Sequence, residues 1–380
     1  MNNKRFVIYI LIMLIFAGVC VAGAKIWETE KPVKTKIEKN RTEKLVDEIM
    51  ESMTTEEKVG QMFMGCFYSK TPSAETVDKH HLGGVLLFGP SFENTDKKTL
   101  NSKLDSIDEA CNIPPIVAVD EEGGLVARVS RSEAFRSEPF KSPGDLYREG
   151  GLEAIEEDAH EKNALLKSIG IDLNLAPVCD ISTDPDDYIY SRSLGEDAET
   201  TASYIETVVS ACVEDGMGCS LKHFPGYGNA TDTHKGKHVS KTSAEQLWGN
   251  DLLPFIAGID AGAHCVLVSH NTVASLDKEH PASLSPAVNS LLRNDIGFEG
   301  VVITDDLIMG AVTDYGSAGD AAIAAVLAGN DMICSGDYKE QYTAVLKAVE
   351  DGVIDIAEID DSVKRILTMK VKLGVITPAE

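Results

Sequence analysis

Eight short apolar runs recur along this chain, each about four to seven residues long with few charges inside: Val59–Gly65, Gly84–Phe88, Ile116–Val119, Leu173–Val178, Cys219–His223, Cys265–Ser269, Val301–Thr304 and Asp331–Cys334. A strand with one wet face alternates apolar and polar residues. A strand buried on both faces does not, and parallel sheets covered by helices are built from such strands. Amphipathic patterns at three-to-four spacing lie between most of the runs, over Glu153–Ser168, Ala202–Val213, Ala318–Leu327 and Tyr342–Val353. Eight strands alternating with helices predict the α/β class, as a single (β/α)8 TIM-type barrel. A doubly wound open sheet is the alternative arrangement.

The barrel pattern does not start at the N-terminus. Lys4 and Arg5 precede an apolar run from Phe6 to Ala24, and Ala22-Gly23-Ala24 ends it before Lys25. A membrane helix needs roughly 20 such residues, and a basic start with small residues at the end is also signal-peptide grammar. Cys20 adds a weak lipoprotein-like signal. Cleaved, retained or lipidated, the segment exports the remainder of the chain, because the charges before it favour an inside N-terminus. Residues 25–41 mix Lys and Glu and read as a polar tether. The expected organisation is therefore 1–24 signal peptide or membrane anchor, 25–41 tether and 42–380 catalytic barrel. The expected location is extracytoplasmic, secreted or tethered to the outer face of the cell membrane.

Composition narrows the function. Lys plus Arg is 35 and Asp plus Glu is 61, so the net charge is −26. That balance argues against nucleic acid as a partner, since a basic face would be needed. Eight cysteines carry no C-x-x-C spacing, which disfavours a zinc ribbon or thioredoxin-type site, and buried free thiols are expected over a disulfide framework. His234 and His238 are four apart with no third ligand evident, so neither metal nor cofactor is expected.

Polar chemistry collects where the apolar runs end. Asp120, Asp180, Lys222-His223, His270 and Asp305-Asp306 each follow or close a run. In a barrel those ends converge on one mouth, where catalytic groups sit. A carboxylate fixed at a strand end, such as Asp305, suits nucleophilic attack or stabilisation of an oxocarbenium ion. Asp306 is expected to point elsewhere and cap the following helix. Pro225, Gly226 and Gly228 force a loop after Lys222-His223, and that loop carries Asp232 and His234 two apart. A carboxylate beside a histidine orients the ring and favours its protonated form, which suits a general acid. Asp120 can accept hydrogen bonds from two sugar hydroxyls, while Arg128 and Arg192 can bind or hold carboxylates.

These residues stand in segments that resemble glycoside hydrolase family 3, in its single-domain β-N-acetylhexosaminidase branch (the NagZ type). Met53 to Met62 is similar to the family's opening segment, and Asp120 to Arg128 to its Asp-Gln-Glu-Gly-Gly-Arg-Val-x-Arg segment. Asn174 to Val178 and Arg192 to Gly195 match two further landmarks. Lys222 to Gly228 resembles Lys-His-Phe-Pro-Gly-His-Gly, and Thr304 to Leu307 resembles Ser-Asp-Asp-Leu. The resemblance implies an exported β-N-acetylhexosaminidase that removes terminal N-acetyl-β-D-glucosamine from peptidoglycan or chitin fragments. It implies a retaining mechanism with Asp305 as nucleophile, His234 as acid/base and Asp232 as its partner. Asp120, Arg128, Arg192, Lys222 and His223 would bind the sugar. A β-glucosidase or other family 3 activity, and a non-catalytic glycan-binding barrel, are the alternatives. Three departures from the family pattern stand out: Tyr227 replaces His, the Gly228–Asp232 loop is one residue short, and Leu125 replaces Arg. The first two touch the catalytic loop and bear on rate and leaving-group preference. The length also leads us to expect no second domain, so that the acid/base must come from a barrel loop.

Overall fold

The computed structural model describes residues 40–227, 238–312 and 316–377. The expected export segment and nearly all of the tether lie outside these, as do Asp232 and His234. Two units are distinguished, Met1–Glu51 and Ser52–Glu380. In the first, residues 40–51 are helical, with Lys44 and Glu48 one turn apart and 3.5 Å between their charged atoms. No helix among the described residues is long and apolar enough to cross a membrane.

The second unit carries eight parallel strands: β1 Phe63–Phe67, β2 Gly84–Leu87, β3 Ile116–Val119, β4 Leu173–Asn174, β5 Gly218–Phe224, β6 Cys265–Val268, β7 Val301–Thr304 and β8 Ile333–Ser335. From β1 to β7 each pairs with the next in chain order, and β8 pairs with β1. A parallel bridge between Ile303 and Met332 joins β7 to the start of β8. The ring is thus an almost closed barrel, and the doubly wound sheet is set aside. Burial on both faces is what the unbroken apolar runs anticipated: β2, β3, β6 and β7 are buried at every position.

Two strands sit differently from expectation. The run Val59–Gly65 is not one strand. Thr54 and Glu57 form a reciprocal capping box that starts a helix at Thr55–Gln61, and β1 begins only after Met62. Leu173–Val178 shortens to β4 plus one isolated bridge, Val178 to Lys222. Pro177 has no N–H to donate to a ladder, so regular pairing stops before it. The helices run longer or earlier than their apolar periodicity. Pro143–Lys167 contains a break at Gly151, and Tyr338–Glu350 starts four residues before Tyr342.

Helix Ala198–Asp215 illustrates how local signals position a packing face. Asp197 caps its first turn by accepting from Thr200 N, and Gly216 closes it in the left-handed region at φ 62°. Ile205 and Val209 then pack with Leu221, Phe224, Phe255 and Val266 between the barrel wall and its helical jacket. The Phe224 and Phe255 rings meet edge to face at 5.2 Å. Burying side chains of this size stabilises by about 1.5–3 kcal/mol each, and this anchors β5, the strand that ends in Lys222 and His223.

The seven described cysteines are free thiols, and Cys66 and Cys334 approach at 3.3 Å between sulfurs.

Candidate active site

The C-terminal ends of the strands open into a cavity of about 620 Å³, inside the usual range for small-molecule sites. Asp120, Arg128, Arg192, Lys222, His223 and Asp305 all line it. Six residues from four separate stretches of sequence are thereby brought to one mouth. Asp232 and His234 fall outside the described residues.

The cavity floor is a buried charge cluster. The Lys222 ammonium lies 2.7 Å from Asp120 Oδ1 and 2.6 Å from Glu122 Oε1. Glu122 also takes a two-pronged grip from Arg192, whose Nη2 and Nε donate at 2.7 and 2.9 Å. Burial by itself pushes the Glu122 carboxyl up, but Lys222 and Arg192 outweigh it and hold it well below the usual carboxylate range. Burial likewise pulls Lys222 down, while Asp120 and Glu122 more than restore it and keep the amine charged. Arg192 is held up mainly by Glu122 against the same burial. Lys222 and Arg192 therefore keep Glu122 ionised, and it keeps them charged, with little access to water.

His223 is oriented from both ends. Arg192 Nη2 reaches His223 Nε2 at 3.2 Å, and since a guanidinium only donates, Nε2 accepts. The proton then sits on Nδ1, which donates to Asp180 Oδ2 at 2.7 Å. Asp180 also accepts from the backbone N–H of Tyr227 at 2.7 Å. Tyr227, one of the departures from the family pattern, is buried and packs edge-on against the His223 ring at 5.2 Å.

Asp305 leaves β7 with its N–H donated to the Val268 carbonyl at 2.9 Å, and its Oδ1 accepts from Asp306 N at 2.8 Å. The buried His270 steadies the next peptide, donating from Nε2 to the Asp306 carbonyl at 3.0 Å while Ser283 Oγ donates to its Nδ1 at 2.7 Å. Asp306 does not cap the next helix among the described residues, which begins at Ala318. It accepts instead from the N–H groups of Ile308 and Gly336 and from the Tyr68 hydroxyl. A turn directly after β7 displaces the helix start, so the carboxylate serves that turn and the β8 end.

The family model described as "Glycosyl hydrolase family 3 N terminal domain" matches residues 54–369. This chain belongs to glycosyl hydrolase family 3. The protein named Beta-hexosaminidase LpqI from Mycobacterium tuberculosis is 30% identical over 331 residues, covering 84% of this chain and 83% of that relative. A Beta-hexosaminidase from Xanthomonas campestris is 33% identical over 257 residues, covering 66% of this chain and 76% of the relative. The solved structure of a glycoside hydrolase family 3 beta-N-acetylglucosaminidase from a Paenibacillus species matches with a TM-score of 0.79 at 30% identity. That match covers 87% of this chain but 64% of that one, so this chain spans just under two thirds of that protein's length.

In this family 3 chain, four groups that build the site had no role assigned from sequence, and two of them, Glu121 and Glu122, were not singled out at all. Glu122 is the hub of the charge cluster, and Asp180 aims His223. Glu121 is buried and grips the loop behind Arg128, accepting from Arg128 N and Val129 N at 2.7 Å each and from Ser130. His270 supports the Asp306–Leu307 peptide, one residue past Asp305. Asp180 and His270 were visible at the ends of apolar runs. Nothing local distinguishes Glu121 from Glu122, whose opposite tasks depend on which way each carboxylate points.

Proposed function

We propose that this chain is an exported, retaining β-N-acetylhexosaminidase that releases terminal N-acetyl-β-D-glucosamine from peptidoglycan or chitin fragments. One observation carries the reading: Asp305 stands on a rigid strand end in the same cavity as the Asp120–Lys222–Glu122–Arg192 cluster. A neutral, hydroxyl-rich sugar needs fixed donors and acceptors on one side and a nucleophile at its anomeric carbon. The names of the relatives support the amino sugar over glucose.

In this reading Lys222, Arg192 and Asp120 hold the sugar hydroxyls, with Arg128 beside them and His223 oriented by Asp180. The Asp305 carboxylate attacks C1, the bond from C1 to the leaving oxygen breaks, and His234 gives that oxygen a proton. Asp232 orients His234. Water then attacks C1, His234 takes its proton, and the bond to Asp305 breaks, so the sugar leaves with its configuration retained. Export rests on Lys4, Arg5 and the apolar run from Phe6 to Ala24.

Turnover of an aryl N-acetyl-β-glucosaminide, compared with the matching aryl β-glucoside, tests the assignment. We expect the amino sugar to be strongly preferred, with Asp305→Ala and His234→Ala each lowering kcat on the order of 10³-fold or more. Full activity in both variants, or preference for the glucoside, rejects it.

A further inference from the structure

The cavity has a charged floor and an apolar rim. Tyr68, Leu125, Tyr188 and Ile308 are among the few large apolar side chains exposed on the described surface, and all four line this one mouth. Leu125 is the extreme case at 63% exposed, and it is not exposed through looseness. It sits at the tip of a tight hairpin in which Gly123 and Val126 exchange hydrogen bonds of 3.1 and 3.3 Å. Gly123 and Gly124 take φ values of 100° and 60°, which a side chain would strain. A Cβ on Gly123 would come within 2.1 Å of the Lys141 carbonyl oxygen. Arg131 then pins the tip, donating from Nη2 to the Leu125 carbonyl at 3.0 Å. An apolar side chain held out in water on a fixed turn gains nothing from folding; covering it would stabilise whatever covers it.

Leu125 also divides two spaces. On its far side lies a groove of about 550 Å³, which shares Leu125 and Arg128 with the sugar cavity and continues over Glu93, Asn94, Arg131 and Ser132. This groove is lined by groups that donate to and accept from hydroxyls. Arg128 stands at the junction, and its buried Nε has no hydrogen-bond partner among the described residues.

We propose that the two spaces form one aglycone cleft with Leu125 as its saddle, built for an oligosaccharide aglycone of at least two pyranose rings. This rests on the glycosidase reading above. The first aglycone ring lays its C–H face against Leu125 and the neighbouring Tyr68 and Ile308. The second ring passes over Leu125 into the groove, where Glu93, Asn94 and Ser132 meet its hydroxyls. The Leu125 departure from the family pattern is then a specificity determinant for chain length.

The test compares kcat/KM for chitobiose and chitotriose hydrolysed from the non-reducing end by the full chain. The trisaccharide should be favoured about tenfold, the worth of one modest subsite, with the gain in KM. The double variant Glu93→Ala, Ser132→Ala should bring the ratio to about one. Leu125→Asn should raise KM for both sugars. Equal kcat/KM for the two sugars in the unaltered chain, or a ratio that survives the double variant, overturns the proposal. Titration calorimetry on Asp305→Ala with the same sugars separates this from the activity assignment. Tighter binding of chitotriose, lost in the groove variant, supports the cleft even if no turnover is found, and equal binding overturns it.

Discussion

Two buried clusters at opposite ends of the barrel hold the same kinds of charged residue and treat them in opposite ways. At the mouth, Lys222, Arg192, Glu122 and Asp120 interlock, each of the four with a counter-charge at 2.6–2.7 Å. At the other end, Lys370 donates to Gln61 Oε1 at 2.6 Å and the Pro114 carbonyl at 2.7 Å, both uncharged acceptors. Asp172, at the start of β4, accepts from Val117 N at 2.8 Å. Here burial wins. It pulls Lys370 down to about 7 and pushes Asp172 up to about 7, and Asp108 nearby rises to about 6. Close counter-charges let Glu122 and Lys222 keep their charge, and burial without such a partner weakens it at Lys370 and Asp172. The cluster that must face a ligand is paired throughout, while at the end that closes the barrel pairing reaches Asp331, bridged by Arg293 and Arg365, but not Lys370 or Asp172.

Breaking a pair at the mouth is the severest test of this contrast. Glu122→Gln leaves Lys222 and Arg192 buried with only Asp120 to compensate them. We expect a loss of about 3 kcal/mol in urea unfolding at pH 7. A loss under half of that would mean the cluster is better hydrated than its burial implies.

Asp172→Asn should behave in the opposite sense. The carboxyl has a folded pKa near 7 and an ordinary unfolded value, so between about pH 4 and pH 7 the folded chain binds more protons than the unfolded one. Its contribution to stability is present below about pH 4 and is lost as pH rises to 7. The amide can still accept from Val117 N and carries no charge to desolvate. Unfolding midpoints measured from pH 4.5 to 7 should therefore fall less steeply in the variant, which should be more stable than the parent at pH 7, by about 1–2 kcal/mol. An unchanged slope would place the titration elsewhere. Lys370 acts above this window: its folded pKa is depressed, so its contribution makes stability rise with pH from about 7 to about 10.

Lys370→Met should give the smallest change, a cost of about 1 kcal/mol at pH 7. The variant loses two hydrogen bonds and leaves Gln61 Oε1 and the Pro114 carbonyl to find other partners, but it also removes an amine that is costly to bury charged. A loss as large as that from Glu122→Gln would erase the distinction between the two ends.

Much of the barrel was legible because burying both faces of a strand writes itself locally as a short unbroken apolar run. The exceptions were places where a local signal overrode the run. Thr54 and Glu57 start a helix where Val59–Gly65 suggested a strand, and Pro177 cuts β4 short. Much of the cavity lining was legible for a similar reason. Asp120, Lys222, His223 and Asp305 end such runs, and parallel strands bring their ends to one mouth. Arg192 came from a loop landmark and Arg128 from the family segment.

The order of residues along the chain was enough for the alternation of strands and helices and for the identity of the groups at the strand ends, because both follow from near neighbours. Packing in three dimensions selected which of three consecutive acids, Asp120, Glu121 and Glu122, faces the cations and which ties down a loop. It made Lys222 stay charged while Lys370 titrates near neutrality, and it left Leu125 exposed between two spaces. These are properties of distance and solvent access between residues tens to hundreds of positions apart, and no local pattern encodes them.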